Sequence, residues 1–362
     1  MSTGTATWEY RDRFGDGFGR TYFRRFGDGV VSSIGLGTYL GDPTDEYDRR
    51  YREALVAALE GGINLVDTAI NYRAQRSERV VGEALDEADV GREAVVVATK
   101  GGFLPFDGSR PEDPGRYVRE EFVDPGLVDP DELAMGSHCI DPGFVDAQFD
   151  RSLSNLGLET VDLYYVHNPE TQLEVRSREA VYDRLEGCFR RLEERIAAGD
   201  LRTYGVATWE AFRVPEDDES YLSLPEVVSR ARRAAEAVGN DTTGLGAVQL
   251  PFNVVMADAF TVEAHEGAEG HQSALAFAAD AGLNVFTSAS LAQGRLASGL
   301  PESVAERVSG DTPAQRAINF ARSAPGVTAA LVGSSSPEHV AENLAAGEHD
   351  PLGARAFDAV FE

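Results

Sequence analysis

Residues 61–100 read GGINLVDTAINYRAQRSERVVGEALDEADVGREAVVVATK. The stretch opens on a strand-length apolar run, Ile63–Asp67, and then carries apolar residues three and four apart over Ser77–Glu87. It returns to an apolar run at Val95–Thr99. Strand, amphipathic helix and strand make a βαβ unit, and strands apolar at nearly every position belong to parallel sheets buried on both faces. Each strand also delivers an ionisable residue at its C-terminal end, Asp67 from the first and Lys100 from the second.

The same alternation extends in both directions. Strands are expected at Ser32–Gly37, Ile63–Asp67, Val95–Thr99, Val161–His167, Arg202–Val206, Gly246–Pro251, Asn284–Ser288 and Thr328–Gly333. Helical patterns fall between and after them, at Arg49–Glu60, Ser77–Glu87, Phe144–Leu156, Arg184–Ala198, Leu224–Ala237, Ser273–Ala281, Pro313–Ala321 and Glu338–Ala345. Eight such units predict a (β/α)8 TIM barrel formed as one domain over residues 1–362. A doubly wound open sheet is the alternative, and it usually carries G-x-G-x-x-G after its first strand. Here Gly35-Leu36-Gly37-Thr38-Tyr39 lacks the third glycine and a helix start.

Two segments break the order. Residues 7–31, with turn signals at Gly15, Asp16-Gly17 and Asp28-Gly29, predict a hairpin ahead of the barrel. Residues 102–142, punctuated by Pro and Gly, form a long insertion after the third strand, expected as a lid over the C-terminal face.

Composition narrows the class. Sixty-one acidic residues stand against 33 basic ones, a net charge of −28, which opposes a nucleic-acid surface. The acids are dispersed and the apolar fraction is 42%, so the chain reads as folded with a hydrated acidic surface suited to a salt-rich cytoplasm. No apolar run reaches membrane-spanning length, and the N-terminal residues lack a secretory layout, so the expected compartment is the cytosol. The two cysteines, Cys139 and Cys188, give neither a metal spacing nor a disulfide framework.

Every basic residue is arginine except Lys100. An ammonium is a compact charge whose pKa responds to its surroundings, unlike a planar guanidinium. Composition alone leaves chance and function equally open. Position decides more. Asp67, Lys100 and His167 end three consecutive strands, and Tyr72 follows Asp67 on its loop. Each has an ordinary structural role available singly: a helix cap, a loop aromatic, a neutralising ion pair, a hydrogen-bonded core histidine. Together, at one barrel end, they read as a site. Reducing a carbonyl by hydride puts charge on oxygen and needs a proton donor. A phenol serves if a cation stabilises its phenolate. Lys100 supplies that field, Asp67 holds the ammonium, and His167 orients the substrate oxygen.

At these residues the chain resembles the aldo-keto reductases. GINLVDTAINYRAQRSERVVGEAL, VVVATKGG and VDLYYVHNPE are similar to the family's catalytic segments, which places its tetrad on Asp67, Tyr72, Lys100 and His167. The resemblance implies the (β/α)8 barrel and a nicotinamide cofactor, usually NADPH, bound without a Rossmann motif. It puts Gly37, Thr38 and Tyr39 beside the cofactor and Gln249, in GAVQLPFN, on the nicotinamide carboxamide. Thr208 stands where the family has a Ser-Asn pair, and Ser288 where an aromatic often stacks. Ser290, Leu291, Gly294 and Arg295 resemble the loop around the pyrophosphate, with a surface salt bridge as the competing role for Arg295. LVGSSSPEHVAENL resembles the adenosine segment, with Ser334 and Ser335 suited to phosphate and Glu342 and Asn343 to adenine. Gly333 and His339 occupy positions where the family commonly has Lys and Arg. Family frequency then favours NADP(H) narrowly over NAD(H).

The substrate pocket is expected from the insertion and the chain after Thr208, with Phe103, His138 and Trp209 as lining. His138 and Cys139 are too few for a metal, and an incidental loop pair is the competing reading. The function implied is an NAD(P)H-dependent oxidoreductase acting on a small-molecule aldehyde, ketone or corresponding alcohol. Alternatives are a non-catalytic cofactor-binding regulatory subunit of the same fold, and a barrel lyase using Lys100 as a Schiff-base amine. Substrate identity and oligomeric state are not encoded in any motif.

Overall fold

The computed structural model describes residues 1–268 and 270–361. Eight strands close into a parallel barrel: β1 Ile34–Gly37, β2 Leu65–Asp67, β3 Val96–Gly101, β4 Val161–His167, β5 Leu201–Ala207, β6 Leu245–Pro251, β7 Asn284–Ser288 and β8 Val327–Gly333. Closure comes from β8, which pairs with β7 on one side and with β1 on the other. The principal outer helices are α1 Asp45–Gly61, α2 Arg76–Glu87, α3 Pro142–Leu156, α4 Arg178–Ala198, α5 Leu224–Val238, α6 Ala274–Asp280, α7 Pro313–Ser323 and α8 Pro337–Glu348. The (β/α)8 expectation is met. Among the described residues, no helix is long and apolar enough to cross a membrane.

Local chemistry sets these boundaries. Thr44, Ser177, Ser223, Ser273, Thr312 and Ser336 each accept a backbone N–H at a helix start. Such a cap is worth about 1 kcal/mol. At the other end of α4, Gly199 takes a left-handed φ of 88°, which a residue with a Cβ adopts at a cost.

The barrel interior is filled by Leu65, Val96, Ala98, Leu163, Tyr165, Ala207, Ala247, Phe286, Ala329 and Leu331. Phe26 and Val31 of an N-terminal hairpin join this cluster, with the Phe26 and Phe286 rings 5.9 Å apart, so the hairpin stoppers the end where the strands begin. That hairpin spans only Phe23–Ser32; residues 7–14, expected as part of it, belong instead to a helix, Gly4–Phe14, capped by Thr3. The turn signals at Gly15, Asp16-Gly17 and Asp28-Gly29 all lie after this helix and mark only the chain that follows it. A second hairpin, Glu263–Gly267 with Gly270–Ser273, precedes α6 and was not anticipated, because its acidic and glycine-rich residues carry no strand pattern.

The insertion after β3 packs through Leu104, Val128 and Cys139 against Phe144 of α3. Gln148 of α3 pins its root, accepting from Gly102 N at 2.7 Å and donating to Phe103 O at 2.7 Å.

Candidate active site

Strand register brings the polar strand ends to one level. Asp67 pairs with Ala98, Lys100 with Tyr165, and Ala207 lies between His167 and Gln249 on its two neighbours. At this mouth Lys100 Nζ lies 2.5 Å from Asp67 Oδ1 and 2.9 Å from the Thr68 carbonyl, and it reaches Tyr72 Oη at 3.4 Å. The lysine is fully buried. Burial opposes its charge, but the Asp67 carboxylate and Tyr72 outweigh that, so its pKa rises above the ordinary lysine value.

Tyr72 owes its place to an unusual loop. The three residues after it, Arg73, Ala74 and Gln75, all have positive φ, at 47°, 55° and 67°. Consecutive left-handed residues cost energy and persist only where surroundings impose them. The buried Arg73 guanidinium does so, donating to Asp42 O at 3.0 Å and to Asp48 Oδ1 at 2.6 Å. The Tyr72 pKa departs from expectation. Burial raises it above the ordinary phenol value, and the nearby Lys100 ammonium offsets this only in part. The phenol is therefore held protonated, with a cation in place to receive a developing phenolate.

His167 is driven well below the ordinary imidazole range by burial first, then by the Lys100 charge and by His138. It stands in the cleft as a neutral ring. Behind it lies His138. Gln172 Nε2 donates to His138 Nδ1 at 3.1 Å, which leaves the Nε2 proton to donate to the His167 carbonyl at 2.8 Å. His138 is thus fully buried and fastens the insertion to β4; the expectation that it lines the pocket is corrected. Within 102–142, Phe103 is the one residue of the cleft wall among those described. The other described residues of the insertion lie outside the cleft wall.

The cleft encloses about 730 Å³ and runs from Tyr72 to the start of α8. Of the residues singled out in the sequence, Asp67, Tyr72 and His167 line it, as do Gly37, Thr38, Tyr39, Phe103, Thr208, Trp209 and Gln249. So do Ser288, Ser290, Leu291, Gly294, Gly333, Ser334, Ser335, His339, Glu342 and Asn343. Lys100 lies beneath the floor. Arg295 is exposed and outside the wall, with its Nε donating to Ala292 O at 3.3 Å. Gln249 donates to Asp67 Oδ2 at 2.8 Å and so holds the carboxylate from the side opposite Lys100. Sequence reading missed Asn71, Asn168 and Gln293 in the wall. The Asn before Tyr72 and the Asn after His167 were the available signals.

Among the described residues, four buried polar atoms of this wall lack a protein partner: Asn71 Oδ1, His167 Nδ1, Thr208 Oγ1 and Asn343 Nδ2. Buried polar groups are ordinarily satisfied. Spread along the cleft, these atoms leave hydrogen-bonding positions open to a long polar ligand. No arginine or lysine lines the wall among the described residues.

Residues 33–219 match the model of the Aldo/keto reductase family. The chain is 24% identical to the putative voltage-gated potassium channel subunit beta of Schizosaccharomyces pombe, over 88% of this chain and 85% of that protein. It is 27% identical to the aldo-keto reductase YhdN of Bacillus subtilis over 49% of this chain and 44% of that one. Among solved structures, the aldo/keto reductase from Klebsiella pneumoniae in complex with NADP and acetate superposes with a TM-score of 0.62. Identity to it is 20%, and 94% of each chain is covered. The glycerol dehydrogenase of Gluconobacter oxydans gives 0.62 at 19% identity, again over 94% of each chain. These two likenesses carry the fold, while the match over more than half of the sequence carries the lineage. The chain belongs to the aldo/keto reductase family.

Proposed function

We propose that this chain is an NAD(P)H-dependent oxidoreductase acting on an uncharged aldehyde or ketone, or on the corresponding alcohol, with Tyr72 as the proton donor and acceptor. The observation that carries the reading is the approach of Lys100 Nζ to Tyr72 Oη at 3.4 Å, with Asp67 bound to the same ammonium at 2.5 Å. A bound reduced nicotinamide supplies the hydride. Tyr72 Oη gives its proton to the developing alkoxide, and Lys100 stabilises the phenolate left behind. Asp67 fixes the ammonium. His167, neutral, orients the substrate oxygen beside Tyr72.

Thr208, Asn71, Ser334 and Asn343 are the residues suited to hold the dinucleotide, since they present free hydrogen-bonding groups or small polar side chains along the cleft. Tyr39, Phe103 and Trp209 supply aromatic walls at the reacting end. With no lysine or arginine among the described lining residues, a carboxylate substrate would meet no counter-charge, which is why the substrate is taken as uncharged. The net charge of −28 further suits a protein that works in concentrated salt.

A second reading, a non-catalytic nucleotide-binding subunit, is consistent with the similarity to the putative channel subunit. One titration separates them. Purified protein is titrated with NADH and NADPH, and a panel of small aldehydes is then added while cofactor absorbance is followed. Binding followed by oxidation of the cofactor supports the reductase. Binding with no turnover on any carbonyl supports the subunit, and no binding of either nucleotide defeats both.

A further inference from the structure

The hydride must be delivered beside Tyr72, so the far end of the cleft, at the start of α8, is left for the adenosine half. That end is built from Gly333, Ser334, His339, Glu342 and Asn343. Its charge is of the wrong sign for an extra phosphate. Glu342, whose Oε1 accepts from Thr312 Oγ1 at 2.7 Å, belongs to the wall of a cleft that no arginine or lysine lines among the described residues. The chain has thirty-two arginines, so the lack of one here is not a shortage of the residue type.

We propose that this cleft selects NAD(H) over NADP(H), because its adenosine end presents a carboxylate and hydroxyls but no lysine or arginine among the described residues. The inference rests on the cofactor reading given above and sharpens it against the family-frequency lean to NADP(H). A ribose 2′-hydroxyl is neutral and needs no cation beside it. A 2′-phosphate brings added negative charge, and without a guanidinium or ammonium partner it is both desolvated and repelled. The start of α8 does not replace the missing cation. Its N-cap hydroxyl, Ser336 Oγ, already accepts from His339 N at 3.3 Å, and Ser334 Oγ donates to Ser336 O at 3.3 Å. Arg295 and Arg316 of the adjoining segments stand outside the cleft wall, with Arg295 Nε on Ala292 O at 3.3 Å and Arg316 Nε on Gly310 O at 2.8 Å.

Calorimetric titration of the full chain with NADH and with NADPH tests this directly. It is run at pH 8, where an ordinary imidazole is neutral, in 0.1 M and in 2 M KCl. NADH should bind about tenfold or more tightly than NADPH in the lower salt, the scale of one missing charged hydrogen bond. The gap should narrow in the higher salt as repulsion is screened. His339→Arg should raise NADPH affinity by about tenfold. Equal or tighter binding of NADPH by the unmodified chain would overturn the inference. So would loss of NADPH affinity in Arg295→Ala or Arg316→Ala, which would mean that one of these side chains turns inward onto the phosphate. Failure to bind either nucleotide would instead remove the cofactor reading beneath it.

Discussion

Gln249 Nε2 donates to Asp67 Oδ2 across 2.8 Å, so two strands that are not neighbours in the barrel share one carboxylate. The resemblance to the family put this amide on the nicotinamide; in the structure it steadies the anion that steadies Lys100. Gln249→Leu removes one of the two side-chain donors to a buried carboxylate, at a cost of about 1–3 kcal/mol. Thermal denaturation should fall by a few degrees. Turnover should fall more than nucleotide affinity, because the loosened Asp67 acts on Lys100 and through it on Tyr72.

The buried pair predicts an asymmetry in mutant stability. Lys100→Met leaves the Asp67 carboxylate buried without its cation, a loss of about 3–5 kcal/mol. Adding Asp67→Asn to Lys100→Met removes the stranded charge, and denaturant titration should recover a substantial part of that loss. Turnover should stay absent in both proteins. Recovery of activity along with stability would show that Lys100 serves only to neutralise Asp67.

His138 predicts an acid limit with a definite sign. Burial lowers its pKa from 6.5 to about 4. The unfolded chain therefore takes up the proton first, so the contribution is complete above pH 6.5 and is lost as the pH falls from there toward 4. It is about 3 kcal/mol across that window. His167 and His265 are lowered too and slope the same way. In His138→Gln, stability at neutral pH should drop, and its dependence on pH between 6.5 and 4 should flatten relative to the unmodified chain. An unchanged slope would refute the buried neutral imidazole.

Charge predicts a response to salt. Arg230 alone gathers Glu179, Asp183, Glu186 and Glu226, yet 61 acids face only 33 cations in the chain. The unpaired remainder repels itself at low ionic strength. Raising KCl from 0.1 M to 2 M should increase the denaturation temperature by on the order of 10 °C. A flat or falling curve would remove the salt-adapted reading.

Much of the barrel was legible because strands buried on both faces leave uninterrupted apolar runs. A polar residue at the end of such a run, as in INLVD or VDLYYVH, then marks the mouth. The tetrad positions were found in this way, and they do converge. What could not be read depends on where loops fold back. His138 looks the same in sequence whether it faces a pocket or, as here, a carbonyl of β4. Arg295 sits in a loop whose neighbours line the cleft, but it is itself exposed and outside the wall. Gln249 was located on the wall, but its partner is 182 positions away, and nothing local names it. The net direction of the Tyr72 pKa was missed for the same reason, since burial is a property of the assembled mouth and not of any motif.

The central claim is that Tyr72 carries the proton, and Tyr72→Phe tests it most directly. Cofactor oxidation is followed in a single turnover with saturating nucleotide and aldehyde, and the nucleotide Kd is measured on the same preparation. The rate should fall by about 10²–10⁴, the usual contribution of a positioned acid, while the Kd stays within about twofold. Turnover retained near the unmodified rate would contradict the account.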